Sequence, residues 1–237
     1  MTAVPVQQAT RCNVSISEPG GTVTKVNEAG SALSVEEFGQ LADAVDATAQ
    51  PGDWVVASGS LPPGAPDDVY ARLVRRLADR GVRTAVDTSG PALLEAVAAG
   101  PTILKPNREE LGEAAGREIE TLEDAVSAAQ FLRRRGAGAV LVSLGPDGAV
   151  LVDGDGVTHG ECTVVGRRSS VAAGDSLLAG FLAGGADGGA ALATALCWAS
   201  AAVELPGSGV PSPQDVAARS ARITRELDLE LALSSSS

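Results

Sequence analysis

The amino-acid sequence predicts an α/β domain in which a largely parallel sheet is covered by helices, and three observations carry that prediction. From about Ser34 onward, short apolar runs alternate with longer amphipathic segments, the pattern of strands joined by crossover helices. The chain is 237 residues long and 44% hydrophobic, enough to bury a substantial core in one large domain. Polar segments, three of them containing glycine, directly follow four of the apolar runs, where open α/β sheets collect their ligands.

Taken in order, residues 11–16 and 22–26 read as two strands with no helix between them, joined by Glu18-Pro19-Gly20-Gly21. They form an antiparallel ribbon projecting from the body, either covering a site or making a dimer contact. Strands are predicted at 54–57, 84–86, 102–104 and 139–142, each a short apolar run bounded by turn residues. Around and between them, helices are predicted at 35–48, 67–80, 92–98, 108–115 and 122–134, where apolar residues recur at helical spacing. The order then changes. Residues 149–152 and 157–165 read as a hairpin turned at Asp153-Gly154-Asp155-Gly156, followed by helices at 175–183, 189–203 and 213–227. The organisation is a partial β lid over residues 1–30, an α/β domain over 31–233 and a disordered polar tail over 234–237.

Composition excludes several functions. With 18 basic and 30 acidic residues the net charge is −12, which argues against a general nucleic-acid or anionic-membrane surface, so an anionic ligand needs a local positive site. Lysine occurs only as Lys25 and Lys105. No apolar run approaches the ~20 residues of a membrane span. Cys12, Cys162 and Cys197 are odd in number and lack metal-binding spacing, and Met1-Thr2-Ala3-Val4-Pro5 has no signal-peptide character, so a reduced, cytoplasmic setting is expected. His159, the only histidine, lies in the hairpin and is expected at the surface; Trp54 and Trp198 are expected in the core. Arg133-Arg134-Arg135 ends a helix, where cations suit the dipole.

The segment richest in chemistry is Ser169-Ser170-Val171-Ala172-Ala173-Gly174-Asp175-Ser176, small residues and one carboxylate opening an apolar helix. A helix start offers unpaired N–H groups and partial positive charge, and small residues let a phosphate approach them. Asp175 there either caps the helix or takes a proton from an attacking hydroxyl. Four post-strand segments accompany it. Ser58-Gly59-Ser60-Leu61-Pro62-Pro63-Gly64 either holds a sugar or its phosphate, or is an ordinary turn; Asp87-Thr88-Ser89-Gly90 is equally open to being a helix cap. In Lys105-Pro106-Asn107-Arg108-Glu109-Glu110-Leu111, the three-residue spacing of Asn107 and Glu110 fits hydrated Mg²⁺ near phosphates, and equally a capping box. Ser143-Leu144-Gly145-Pro146-Asp147-Gly148 either admits a nucleotide phosphate or ribose against its glycines, or is a plain turn.

Together with Thr10-Arg11-Cys12-Asn13, these segments in this order resemble the ribokinase-like, or PfkB-type, carbohydrate kinases, and within them the phosphofructokinase and tagatose-6-phosphate kinase branch. The resemblance runs from the first residues to about Gln214. It implies a ribokinase-like three-layer α/β sandwich with a mostly parallel central sheet and a partial β lid. It implies ATP and Mg²⁺ as cofactors and a phosphorylated ketohexose as partner, either fructose 6-phosphate or fructose 1-phosphate going to fructose 1,6-bisphosphate, with tagatose 6-phosphate open as well. By resemblance Asp175 matches the catalytic base, and the N–H groups of Ala172, Ala173 and Gly174 match the anion hole. Asn107 and Glu110 match the motif that organises Mg²⁺ and phosphates. Lys105 and the turn from Ser143 to Gly148 match the nucleotide side, while Arg11, Asn13, Ser58, Gly59 and Ser60 match the sugar side. A homodimer through the lid strands is a further expectation.

The chain departs from the family pattern twice. The anion hole usually reads Gly-Ala-Gly-Asp, and here the first residue is Ala172; if that position requires positive φ, its methyl strains the loop by about 1 kcal/mol or more. Family members open with a strand carrying a substrate-binding Asp and a Gly-Gly-Lys-Gly-x-Asn-type loop, and neither is found before Arg11. Lack of that portion is expected to expose apolar sheet edges and to remove half of the acceptor site. The alternative to an active kinase is a catalytically impaired nucleotide-binding remnant, or a regulatory partner of an intact kinase.

Overall fold

A computed structural model describes residues 3–17 and 23–234. Strands β1 (Asn13–Ser17) and β2 (Val23–Asn27) form a separate antiparallel ribbon with Val14 opposite Val26; the turn expected at Glu18-Pro19-Gly20-Gly21 lies outside the described residues. Val14, Ile16 and Val26 share one face of the ribbon, since strand side chains alternate, and all three are exposed.

The body is a seven-stranded sheet in the order β3 (Trp54–Ser58), β4 (Arg83–Asp87), β5 (Ile103–Leu104), β6 (Ala139–Ser143), β7 (Ala149–Asp153), β8 (Gly156–Cys162) and β9 (Ala221–Thr224). The first four are parallel, joined by crossovers through α2 (Val69–Ala78), α3 (Gly90–Ala98), and α4 (Arg108–Ala115) with α5 (Leu122–Arg134). The last three run antiparallel to their neighbours, so the sheet is mixed.

Strand periodicity sorts the core into two layers. Val86, Leu104, Val140 and Val142 face α3, α4 and α5, where Leu93, Leu111, Ala125 and Leu132 are buried against them. Their neighbours Ala85, Ile103 and Leu141 point the other way, onto Leu177, Phe181, Leu192 and Ala195 of α6 (Ala173–Ala183) and α7 (Gly188–Val203). This is the helix–sheet–helix sandwich expected of the sequence. Helix α1 (Val35–Thr48) opens with a capping box, Ser34 Oγ accepting from Glu37 N and Glu37 Oε2 from Ser34 N, and lays Val45 on Leu77, Val82 and Val55. At the β3 side of the sheet Val56 is 46% exposed, and β3 pairs only with β4 among the described residues.

Two expectations need correcting. The helix predicted at 213–227 is α8 (Pro213–Ala217) alone, after which the chain turns and runs as β9 along β8. The Arg219 guanidinium is drawn onto Glu204 through two bonds of 2.6 and 2.7 Å, Ile223 packs into the α7-side core, and Arg222 donates to its cross-strand partner Glu161 at 2.8 Å. Long-range contacts thus outweigh local helical preference. His159 is the second correction: it is 4% exposed, because β8 is flanked by both β7 and β9, and its Nε2 donates to the Asp147 carbonyl at 2.8 Å. Trp54 and Trp198 are half-buried, the Arg83 guanidinium lying 4.6 Å from the centre of the Trp54 ring.

The final described residues are tied down. Leu233 is buried and donates its N–H to Glu120 O, and Ser234 gives its N–H and hydroxyl to the two carboxylate oxygens of Asp147 at 2.7 and 2.8 Å. Ser235 to Ser237 lie outside the described residues. No helix among the described residues is long and apolar enough to cross a membrane.

Candidate active site

Parallel strands ending side by side bring together residues distant in sequence. Asp87 ends β4, and Lys105 follows β5 one strand over, so their side chains meet above the sheet: Asp87 Oδ1 lies 3.1 Å from Lys105 Nζ. Both are largely shielded from water, with 15% and 5% of their side chains exposed. Burial pushes the Asp87 carboxyl up; Lys105 pulls it down and the charge of Asp175 pushes it up again, which places Asp175 in the same electrostatic neighbourhood.

Helix α6 arrives over this pair. Its N-cap is Ala172, in the left-handed region at φ 61 and ψ 7, with no side chain capping the first turn. Asp175 is therefore not a helix cap; it is an exposed carboxylate in the first turn. Among the described residues the N–H groups of Ala172, Gly174 and Asp175 find no acceptor, and that of Ala173 makes only a 3.5 Å contact with Ser170 O. These open donors are what a phosphate would use. A β-carbon added to Gly174 would come within 3.2 Å of Lys105 Nζ, so the ammonium sits directly against this turn and Gly174 leaves room for it.

Asn107 and Glu110 realise the capping box: Asn107 Oδ1 accepts from Glu110 N at 2.9 Å, and Glu110 Oε2 from Asn107 N at 2.8 Å. The arrangement leaves Glu110 Oε1 without a hydrogen bond among the described residues. Burial pushes the Glu110 carboxyl up, Asn107 and Lys105 pull it down, and Asp87 adds repulsion, so Glu110 belongs to the same charge cluster. Ser143 N donates to Pro106 O and bridges Asn107, which fixes the Gly145–Asp147 turn beside this helix start. Within that turn Gly145 has φ 62 and open space around it, whereas Gly148 has φ 82 and its missing β-carbon would overlap the Gly160 carbonyl oxygen. Gly148 thus serves packing against β8. The Asp147 carboxylate is taken up by Ser234.

On the other side Gly59, at φ 101, is held by three bonds: its N–H donates to Asp87 O at 2.9 Å, and its carbonyl accepts from Tyr70 Oη and Thr88 Oγ1 at 3.0 Å each. The ribbon segment reaches this loop, Arg11 Nη1 donating to Ser60 Oγ at 2.9 Å. Asn13 starts β1 opposite Asn27 and makes no hydrogen bond to another site residue among those described. Ser58 and Ser60 are exposed. Sequence reasoning missed Tyr70, whose hydroxyl braces the loop, and the Asp87–Lys105 pair. Neither has a local signal, since each partner is supplied by a different strand or helix.

The profile described as pfkB family carbohydrate kinase matches residues 2–215. The 1-phosphofructokinase of Rhodobacter capsulatus is 39% identical over 225 residues, covering 91% of this chain and 70% of that protein. That of Bacillus subtilis (strain 168) is 37% identical over 179 residues, covering 76% of this chain and 58% of that protein. The chain therefore spans between just over half and about seven-tenths of the length of these relatives. The crystal structure of phosphofructokinase-2 from Escherichia coli in complex with potassium superposes with a TM-score of 0.81 at 33% identity, covering 88% of this chain and 69% of that one. The chain belongs to the pfkB family of carbohydrate kinases.

Proposed function

We propose that this chain transfers the γ-phosphoryl group of ATP to a hydroxyl of a fructose phosphate, giving fructose 1,6-bisphosphate. The observation that carries the proposal is the meeting of Asp175, Lys105 and the unpaired N–H groups of α6 in one place. Phosphoryl transfer asks a protein mainly for positioning and for neutralising charge on the transferred group. Donor N–H groups and an ammonium supply the neutralisation. Asp175, exposed beside them, accepts the proton of the attacking sugar hydroxyl, and that hydroxyl's oxygen bonds to the γ-phosphorus as the bond from phosphorus to the leaving ADP oxygen breaks. Gly145, with open space around it, and Ser143 and Leu144 of the same turn lie on the nucleotide side.

Asn107 and Glu110 suit a magnesium ion entering with the nucleotide. The donors are oxygens, Glu110 Oε1 has no hydrogen bond among the described residues, and two side chains leave the remaining positions to water and phosphate, as Mg²⁺ prefers. Bound there, the ion would offset phosphate charge. No group of three or more His, Cys, Asp or Glu side chains able to cage a metal is found among the described residues.

For the acceptor, fructose 1-phosphate is favoured over fructose 6-phosphate by the names of the curated relatives. Arg11, tied to Ser60 on the acceptor side, offers a planar guanidinium that matches a sugar phosphate. The exposed apolar face of the ribbon, with Val14, Ile16 and Val26, suits closure over the sugar or contact with a second copy. A second reading, a nucleotide-binding regulatory partner, is favoured by one feature, the methyl of Ala172 at positive φ inside the anion hole. Phosphorus NMR of the chain with MgATP and, separately, fructose 1-phosphate, fructose 6-phosphate and tagatose 6-phosphate tests the proposal. A bisphosphate product with fructose 1-phosphate supports it, and bound ATP without product from any of the three supports the regulatory reading.

A further inference from the structure

Asp87 has no role in its own stretch of chain. The N-cap of α3 is Ser89, two residues on, which makes no side-chain cap bond, and Thr88 between them is committed to the Gly59 carbonyl. The Asp87 carboxylate instead reaches across to Lys105, while its own carbonyl accepts the Gly59 N–H. One residue thus touches both the acceptor-side loop and the cation at the mouth of the anion hole. A buried ion pair is a poor device for stability alone, because desolvating two charges offsets most of their attraction.

We infer that Asp87 is a positioning residue that holds the Lys105 ammonium beneath the first turn of α6, aimed at the terminal phosphates of a bound nucleoside triphosphate. This rests on the kinase reading above. Lysine is a point charge on a flexible stem, and two other carboxylates compete for this one: Glu110, which already feels Lys105, and Asp175 on the facing turn. If the ammonium paired with Asp175, the base would be engaged and the anion hole would lose its cation. Asp87 prevents that by occupying Lys105 from the strand side, leaving its remaining donors towards Gly174.

The chain's lysine content makes this directly observable, since only Lys25 and Lys105 would appear in an NMR spectrum of protein labelled with ¹³Cε-lysine. Lys25→Arg assigns the two signals. The Lys105 signal is expected to stand apart from that of Lys25 and to move when a non-hydrolysable ATP analogue and Mg²⁺ are added. In Asp87→Asn it should lose that distinct position. Turnover should fall at least tenfold, with analogue affinity within threefold of wild type, and Asp87→Glu should recover part of the loss. In a Lys105→Met background, Asp87→Asn should change turnover less than twofold, the signature of action through Lys105. The inference is overturned if Asp87→Asn leaves both the Lys105 signal and turnover in place, if turnover, affinity and melting temperature all fall together, or if the loss is equally large without Lys105. A wild-type chain with no transfer activity, whose Lys105 signal still answers to the analogue only when Asp87 is present, would sink the kinase reading and keep the positioning role.

Discussion

Replacing Ala172 by glycine should make this protein more stable, although it removes a methyl and makes no new contact. Ala172 sits at φ 61 and ψ 7, a left-handed conformation that costs an L-residue about 1–2 kcal/mol and glycine essentially nothing. Against that relief stands the added freedom of glycine in the unfolded chain, about 0.4–1 kcal/mol. The difference centres near 0.8 kcal/mol in favour of glycine. For a chain of this size, where 1 kcal/mol moves the melting temperature by roughly 2–4 °C, the expected rise is about 2–3 °C. Calorimetry or thermal denaturation by circular dichroism reads it. Ala186, also left-handed at φ 62 but outside the anion hole, is the internal control: its methyl packs on the core beside α6 and α7, so Ala186→Gly should give a rise in the same direction but smaller. Only Ala172→Gly should also alter nucleotide affinity or turnover, because only it reshapes the N–H groups that meet phosphate. A fall in melting temperature for Ala172→Gly, with a rise for Ala186→Gly, would refute the strain argument at the site.

Two further outcomes follow from the geometry. Gly148→Ala should be severely destabilising, by about 3 kcal/mol or more in denaturant titration, since φ 82 and the Gly160 carbonyl both exclude a β-carbon; a midpoint close to wild type would show that the turn yields. Glu204 is held down to about 2, first by its paired bonds to Arg219, so its folded form binds protons less readily than its unfolded form. The stability it contributes is complete above its ordinary value near 4.5 and is lost as pH falls towards 2, so Arg219→Met should flatten that acid limb of the stability–pH curve and leave its shape at neutral pH unchanged.

Much of the fold was legible because its signals are local. Apolar runs mark β3 to β7 to within a residue or so at their ends, and the helices at 35–48, 108–115 and 122–134 begin at Ser34, Asn107 and Thr121, whose side chains cap them. The C-terminal region failed for a connected reason. Ser212 and Asp215 announce a helix through their capping box, but nothing local announces its end, which is set by Arg219 reaching Glu204 and by the vacant edge of β8. The hairpin position of His159 alone reads as surface, and it is the pairing of β9 along β8 that buries it. The cap on α4 proved real without displacing the other reading, because a capping box uses only one oxygen of Glu110. At Asp175 the opposite held: the cap reading fails because Ala172 takes that position.

The site was legible only as separate segments. That Lys105 meets Asp87, or that Arg11 meets Ser60, depends on which strands lie adjacent, and no spacing in the chain encodes it. The most direct test of the account is therefore on the residue those segments surround. ADP release should be measured from MgATP with fructose 1-phosphate, on the wild-type chain and on Asp175→Ala, alongside nucleotide affinity by calorimetry. Turnover is expected in the wild type, with a loss of roughly 10²–10⁴-fold in the variant and nucleotide affinity nearly unchanged. Equal turnover in the two proteins, or ATP bound by both and consumed by neither, would contradict this expectation.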